Sequence, residues 1–431
     1  MENIEPALNT LVGFVWGEFV LIPLLSLVGL YLTIGLRAVP WRYIPYAMKL
    51  LVQRSQADAP GEISPFQALM TALSATIGTG NIAGVATAIY FGGPGAVFWM
   101  WIIALIGMAT KYSEAVLAVK FRQVDANGQF VGGPMYYIKN GLGVRWHWLA
   151  KMFAIFGMIA AFGIGNMVQS NSVADVLATN YAIPTIATGL IIALITAIVI
   201  IGGVRRIADV AGRLVPLMAV GYLCAASTIL VLNFDRIPDA FATIISSAFN
   251  GHAATGGFVG ASIWMAIRFG FARGIFSNES GLGSAAIAHG AAKTNSPARQ
   301  GMVAMLGTFI DTIVLCTLTG LVLVVTDAWQ SGANGASMSA VAFSSTLGDP
   351  GAHIVAIGLG VFAFTTIIGW SYYGERCAAF LFGTSIVSYY RIVWIGAIVV
   401  GAQNNLELVW AFADLFNGLM AIPNLIALAL L

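Results

Sequence analysis

A short polar, glycine-rich interruption occurs twice in this chain, each time inside a long apolar segment. The first copy reads Gly78-Thr79-Gly80-Asn81-Ile82-Ala83 and the second Gly281-Leu282-Gly283-Ser284-Ala285-Ala286, about 203 residues later in a chain of 431. An apolar helix satisfies its own backbone, and glycine and small polar residues weaken it. Unwound backbone at membrane depth is tolerated only where it is buried in protein or lines a cavity. Matched interruptions in the two halves of a hydrophobic chain point to a secondary transporter with its binding site near the bilayer midplane.

Composition agrees. Hydrophobic residues make up 59% of the chain and charged residues 9%, against about 25% charged in a soluble domain. So few charges cannot cover a soluble surface, which predicts an all-α integral membrane protein in contact with membrane lipid. The net charge of +2 is too small to suggest a nucleic-acid partner. Cys224, Cys316 and Cys377 lie in apolar runs with no CxxC or Cys/His cluster, which argues against a disulfide framework and a metal site. His147, His252, His289 and His353 are scattered, so the chain does not read as an enzyme. A P-loop signature is absent. Met1 to Thr10 are acidic and lack the basic region of a signal peptide, so the first apolar segment is expected to stay as an anchor.

A spanning helix needs about 20 apolar residues. Eleven segments qualify, at roughly 13–36, 66–90, 95–122, 148–178, 184–202, 211–233, 256–291, 298–325, 352–382, 387–402 and 405–430. The stretch 41–56, with Arg42, Lys49 and Arg54, reads as an amphipathic helix on a membrane surface. Basic residues fall in alternate loops: Arg37 to Arg54, Lys120 to Lys151, Arg205 to Arg213, Lys293 and Arg299, and Arg376 and Arg391. Arg236 is the main exception. The positive-inside rule then predicts an inner (plasma) membrane protein with its N-terminus outside and its C-terminus in the cytoplasm. A shift of about 203 residues lays the second to sixth segments on the seventh to eleventh. Five helices per unit is odd, so the units must be inverted. The expected organisation is an N-terminal helix with its amphipathic segment (1–60), a first five-helix repeat (61–235) and a second, inverted one (236–431).

The breaks carry the candidate site. At the first, the amides of Thr79, Gly80 and Asn81 would sit at a half-helix N-terminus, which attracts a carboxylate. The carbonyls of Ser74 to Ile77 would end the preceding half and suit a cation. At the second, Ser277, Asn278, Glu279 and Ser280 are four consecutive polar residues in a span. Glu279 reads either as a coupling group or as the partner of Arg268 or Arg273 in a salt bridge that fixes a gate. Thr365 and Thr366 offer hydroxyls for sodium, or merely bond back to the preceding turn. Gln169 sits in a polar cluster with Asn166, Ser170 and Asn171. Lys111 and Glu114, spaced i and i+3, are expected to neutralise each other. Asp311 and Asp414 are each a proton relay or a tie between helices.

These same stretches resemble the alanine or glycine:cation symporter family of prokaryotes. The resemblance runs through Thr71 to Gly84, Gly132-Gly133-Pro134-Met135-Tyr136-Tyr137, Phe276 to Gly281, Tyr373-Gly374-Glu375-Arg376 and Asn417 to Ala421. It covers nearly the whole chain. It implies an eleven-helix fold of the LeuT type, a 5+5 inverted repeat preceded by one extra N-terminal helix. It also implies uptake of alanine or glycine driven by sodium; a proton-coupled or exchange-type permease of the same superfamily is the alternative. By position, Thr79, Gly80 and Asn81 would face the substrate carboxylate, and Gln169 with Phe276, Ser277 and Asn278 would hold the amine. Phe276 and Trp370 would close over a short side chain. Sodium would sit among Ser74, Ile77, Thr365 and Thr366, with Glu279 and Asp311 as coupling or gate residues. The implied working unit is a monomer without an organic cofactor. Two features depart from the family pattern, as in a trimmed sequence: a short connection between Phe382-Gly383-Thr384 and Tyr390-Arg391, and an end at Leu431 without a polar tail.

Overall fold

The computed structural model describes residues 4–17, 19–53, 59–250, 260–404 and 406–431. Within them the chain is almost wholly helical, with one two-stranded antiparallel hairpin, Gln123–Val124 against Phe130–Val131. Seven helices are long and apolar enough to cross a membrane: Gly95–Lys120, Val144–Tyr181, Gly203–Leu232, Pro297–Val325, Asp349–Phe382, Ile386–Gln403 and Val409–Leu430. An eighth is reached if Pro65–Thr76 and Gly80–Gly92 count as one span bent by 53°. Leu21–Gly35 and Thr185–Ile200 are apolar but shorter. The segment expected at 256–291 is split into Ile263–Asn278 and Ser284–Gly290. Its first residues, like Met1–Asn3, Arg54 and position 405, lie outside the described residues.

Two connections turn out to be structured. Ile237–Asn250 and Gly335–Leu347 are helices where the sequence reads as loops between spans. The amphipathic stretch forms Val39–Arg42 and Ile44–Val52. The short link after Phe382 is a turn at Gly383, whose φ of +85° suits glycine, before the chain re-enters a helix at Ile386.

Local chemistry sets these ends. Pro65 starts its helix behind a capping box, in which Ser64 accepts from the Gln67 amide and the Gln67 side chain accepts from the Ser64 amide. Ser262 and Ser296 cap the helices that follow them. Three spans are wound into π turns, at Gly80–Gly84, Gly163–Met167 and Phe309–Cys316. Such turns are frequent at functional sites.

The long helices pack crosswise between the halves. Asp349–Phe382 lies against Pro65–Thr76, His147–Phe162, Val168–Tyr181 and Gly203–Leu232. Gly95–Lys120 lies against Ile263–Asn278 and Pro297–Thr308. Each broken helix is thus held by an unbroken one from the other half. The two broken helices also touch each other, Ile263–Asn278 against Val85–Gly92.

Candidate functional site

At the first break the helix ends at Thr76, and Ile77 turns extended with ψ of 93°. The amide of Gly78 donates to Asn81 Oδ1 at 3.0 Å, and that of Thr79 to Gln169 Oε1 at 3.3 Å. Gly78 has to be glycine: a Cβ there would lie 2.4 Å from Thr366 Oγ1. The Thr79 hydroxyl is buried without a partner.

At the second break Glu279 is left-handed (φ +57°), followed by Gly281 at +88° and Gly283 at +80°. Asn278 donates from Nδ2 to Thr312 Oγ1 at 3.0 Å and accepts from the Ser280 amide at 2.9 Å. The breaks meet backbone to backbone, since a methyl group on Gly80 would stand 3.2 Å from Ser277 Cα.

Asp311 joins them. Its Oδ1 accepts from Asn81 Nδ2 at 2.7 Å, and its Oδ2 accepts from Ser277 Oγ and Thr312 Oγ1, both at 2.8 Å. One buried carboxylate from a third span therefore ties together the polar side chains of both interruptions.

The other predicted residues fall around this centre unevenly. Thr366 donates to Phe362 O at 3.0 Å and reaches Ile77 O at 3.4 Å. Ser74 donates to Thr71 O, and its hydroxyl faces Gly369. Thr365 turns away from these, donating to Phe362 O at 2.9 Å with Met218 Sδ at 3.5 Å. Carbonyl and hydroxyl oxygens of this kind suit a hard cation. Trp370 backs onto the π turn at Gly165, and its indole interacts with the Glu279 carboxyl. Thr79, Asn81, Gln169, Phe276, Ser277, Asn278, Asp311 and Trp370 are all buried, so the centre is closed to both faces.

Several charges behave otherwise than their spacing suggests. Glu279 makes no ion pair with Arg268 or Arg273; its Oε2 accepts from Ser284 Oγ at 2.6 Å, and the carboxyl also interacts with the Trp370 indole. Arg273 instead grips Asp414 in a fork, at 2.6 and 3.2 Å. The guanidinium lies over the rings of Phe276 and Trp410, which stack at 4.8 Å. So Asp414 is a tie between helices. Above this pair opens a cavity of about 520 Å³, lined by Ala83, Thr87, Asn334, Ser337 and the pair itself.

Lys111 and Glu114 act on each other electrostatically but form no direct salt bridge, and their hydrogen bonds go to other helices. Lys111 Nζ donates to the Asn278 carbonyl at 2.8 Å. Glu114 Oε1 accepts from the amides of Gly281 and Gly283, at 3.0 and 3.1 Å, and from Asn424 Nδ2 at 2.7 Å. Tyr137 O–H donates to Asn424 Oδ1. Sequence reasoning missed Asn424, although a lone amide in an apolar span was the available signal. On the opposite face from the cavity, Arg122 binds the carbonyls of Pro60, Ala292 and Thr294. Nearby, Arg376 bridges Asp125 of the hairpin to Glu375, which also pairs with Arg391.

The sequence matches the model of the sodium:alanine symporter family over residues 1–431. The chain belongs to this family. It is 52% identical over 432 residues to the sodium/alanine symporter AgcS of Methanococcus maripaludis, covering 98% of this chain and 94% of that one. It is also 52% identical to a transporter of Haemophilus influenzae, over 99% of this chain and 93% of the relative. It is 38% identical to a probable sodium/glutamine symporter, GlnT, of Bacillus subtilis, over 100% and 88%. Among solved structures, MhsT in complex with L-phenylalanine superposes with a TM-score of 0.55 at 14% identity, covering 86% of this chain and 89% of that one. A manganese transporter of Eremococcus coleocola superposes at 0.56 with 13% identity, over 88% and 81%. At such identities these two establish the fold alone. The family is thus that of a multi-pass membrane transporter, and this chain's fold is similar to the LeuT-like fold of these two structures.

Proposed function

We propose that this chain imports a small neutral amino acid, alanine or glycine, together with sodium, by alternating access. The observation that carries the reading is Asp311, which binds Asn81 of one break and Ser277 of the other. A closed, polar centre made from two opposed half-helix ends suits a zwitterion with a cation. The names of the relatives AgcS and GlnT favour sodium and a neutral amino acid.

In this reading the chain crosses the membrane eleven times, as a helix within 1–60 and inverted units at 61–235 and 236–431. The cavity above Arg273 and Asp414 opens outward, and the face carrying Arg122 and Arg376 is cytoplasmic. The Arg273–Asp414 pair is the outer gate. Thr79, Gly80 and Asn81 take the substrate carboxylate once Gln169 releases the Thr79 amide. Gln169, Ser277 and Asn278 take the ammonium, while Phe276 and Trp370 bound the side chain. Sodium sits by Ser74, Ile77 and Thr366; Thr365 joins after a rotamer change. A single chain holds both breaks, so the transporting unit is a monomer.

Glu279, buried in the second break without an ion pair to Arg268 or Arg273, favours one rival, proton coupling through that carboxyl. Radiolabelled alanine and glycine uptake into proteoliposomes, under an inward sodium gradient, an inward proton gradient or neither, separates them. Sodium-only uptake, lost in Asn81→Ala and Thr366→Ala, is expected. Uptake driven by protons alone would move the coupling role to Glu279 or Asp311. No uptake by folded protein would sink the substrate assignment.

A further inference from the structure

Lys111 is 1% exposed and sits in the second half of the unbroken helix Gly95–Lys120. Its ammonium is committed to one acceptor, the Asn278 carbonyl. Asn278 is the last residue of the helix Ile263–Asn278. Its carbonyl belongs to the negative pole of that half-helix, which carries about half an elementary charge. Three residues along the same unbroken helix, Glu114 holds the amides of Gly281 and Gly283, on the side where the second half-helix begins. One rigid helix thus presents a cation and an anion to the two ends of the gap in its neighbour.

The first break is built differently. Its carbonyl end at Ile77 is met by the Thr366 hydroxyl, and among the described residues no lysine or arginine donates to it. A carbonyl pole away from water needs donors or positive charge, fixed or mobile, and sodium is the mobile candidate at Ile77. At Asn278 the charge is already covalently attached. The surrounding groups sharpen this: Glu279, Glu114 and Asp311 act on Lys111, and among the described residues it is the one cation acting on all three acids.

We propose that Lys111 is a tethered cation that does at the second break what sodium does at the first, so that one sodium accompanies each amino acid. Removing it turns the second break into a further sodium site. This rests on the sodium-symport reading above. Lys111 is then a positioning residue for transport, acting through the Asn278 carbonyl and so on the polar run Ser277 to Ser280.

The test is thermodynamic. Alanine accumulation in proteoliposomes is measured at set sodium gradients and membrane voltages, which gives sodium ions moved per alanine. The wild type is expected to give a ratio of one and a sodium Hill coefficient of about 1. Lys111→Met, which keeps the volume of the stem without its charge, is expected to raise both to about 2, the number of sites setting the upper limit. A wild-type ratio of two or more overturns the proposal irrespective of any variant. So does folded Lys111→Met with an unchanged ratio and sodium curve. Should Lys111→Met not fold, Lys111→Ala is assayed with added ethylammonium; restored uptake supports the tethered cation, and folded protein that ethylammonium leaves inactive refutes it. A wild type that takes up no alanine on sodium fails the symport reading instead.

Discussion

The Arg273–Asp414 pair gives the sharpest test of how the site opens. Both side chains are largely buried, 9% and 13% exposed, and both terminal guanidinium nitrogens engage the carboxylate. If the pair seals the outer side, it exists in the closed state and breaks when the cavity deepens toward Phe276. Asp414→Asn preserves the shape and one acceptor but removes the charge. Leaving one member of a buried, hydrogen-bonded charge pair without its partner costs about 2–5 kcal/mol. The remaining exposure and the surviving hydrogen bond place this case near the lower limit, about 2 kcal/mol, or about thirtyfold in the closed-to-open ratio. The assay is thiol labelling. Cys224 is exposed whereas Cys316 and Cys377 are buried, so Cys224→Ser gives a quiet background. Cys316 lies at the closed centre, against Asn81 and Ser277, and is 1% exposed; with Cys377 also replaced by serine, Cys316 should label about thirtyfold faster from outside when Asp414→Asn is added. Arg273→Gln should do the same, and the double variant should add little. Labelling that stays within about twofold of the parent, in protein that still binds alanine, would show that the pair does not break on opening.

Other expectations follow from the same geometry. Gly78→Ala forces a methyl group against Thr366 Oγ1 at 2.4 Å, an overpacking cost of about 1–3 kcal/mol, and should abolish uptake while Gly360→Ala, with open space around it, does not. Asp311→Ala strips three hydrogen bonds from the two breaks; alanine binding by calorimetry should disappear in protein that still elutes as a single species. Glu279→Gln retains an acceptor for Ser284 Oγ, so sodium-dependent uptake should survive; a switch to sodium-independent uptake would make Glu279 the coupling group.

The breaks were legible because runs of glycine, asparagine and serine weaken a helix that must otherwise satisfy its own backbone in a membrane. Their partners were not. Lys111 and Glu114 look like a mutual pair because helical spacing reveals only neighbours on one helix; the groups they bind come 167 residues later, at Asn278 and Gly281. Thr365 and Thr366 are adjacent in sequence but about 100° apart around the helix, so one hydroxyl reaches Ile77 and the other faces Met218. Ile237–Asn250 escaped notice because 14 residues are too few to span and the segment sits where a loop was needed. The tie between Arg273 and Asp414 required knowing which helices are neighbours, which composition does not contain.

The π turns at Gly80–Gly84, Gly163–Met167 and Phe309–Cys316 carry a consequence for how such a chain tolerates length changes. A π turn is a one-residue insertion that a helix has absorbed without forming a loop. Each therefore acts as a phase setting: one residue more or fewer rotates everything beyond it by about 100°. Asn81 and Asp311 lie inside two of these turns, and Gln169 lies two residues past the third. A single-codon deletion at these places would let the helix close into ordinary α-geometry, intact and perfectly apolar, with its polar side chain pointing at the wrong neighbour. Reading-frame-preserving indels are usually judged by whether they fall in a helix or a loop; in this chain the damaging ones are those that make a helix more regular.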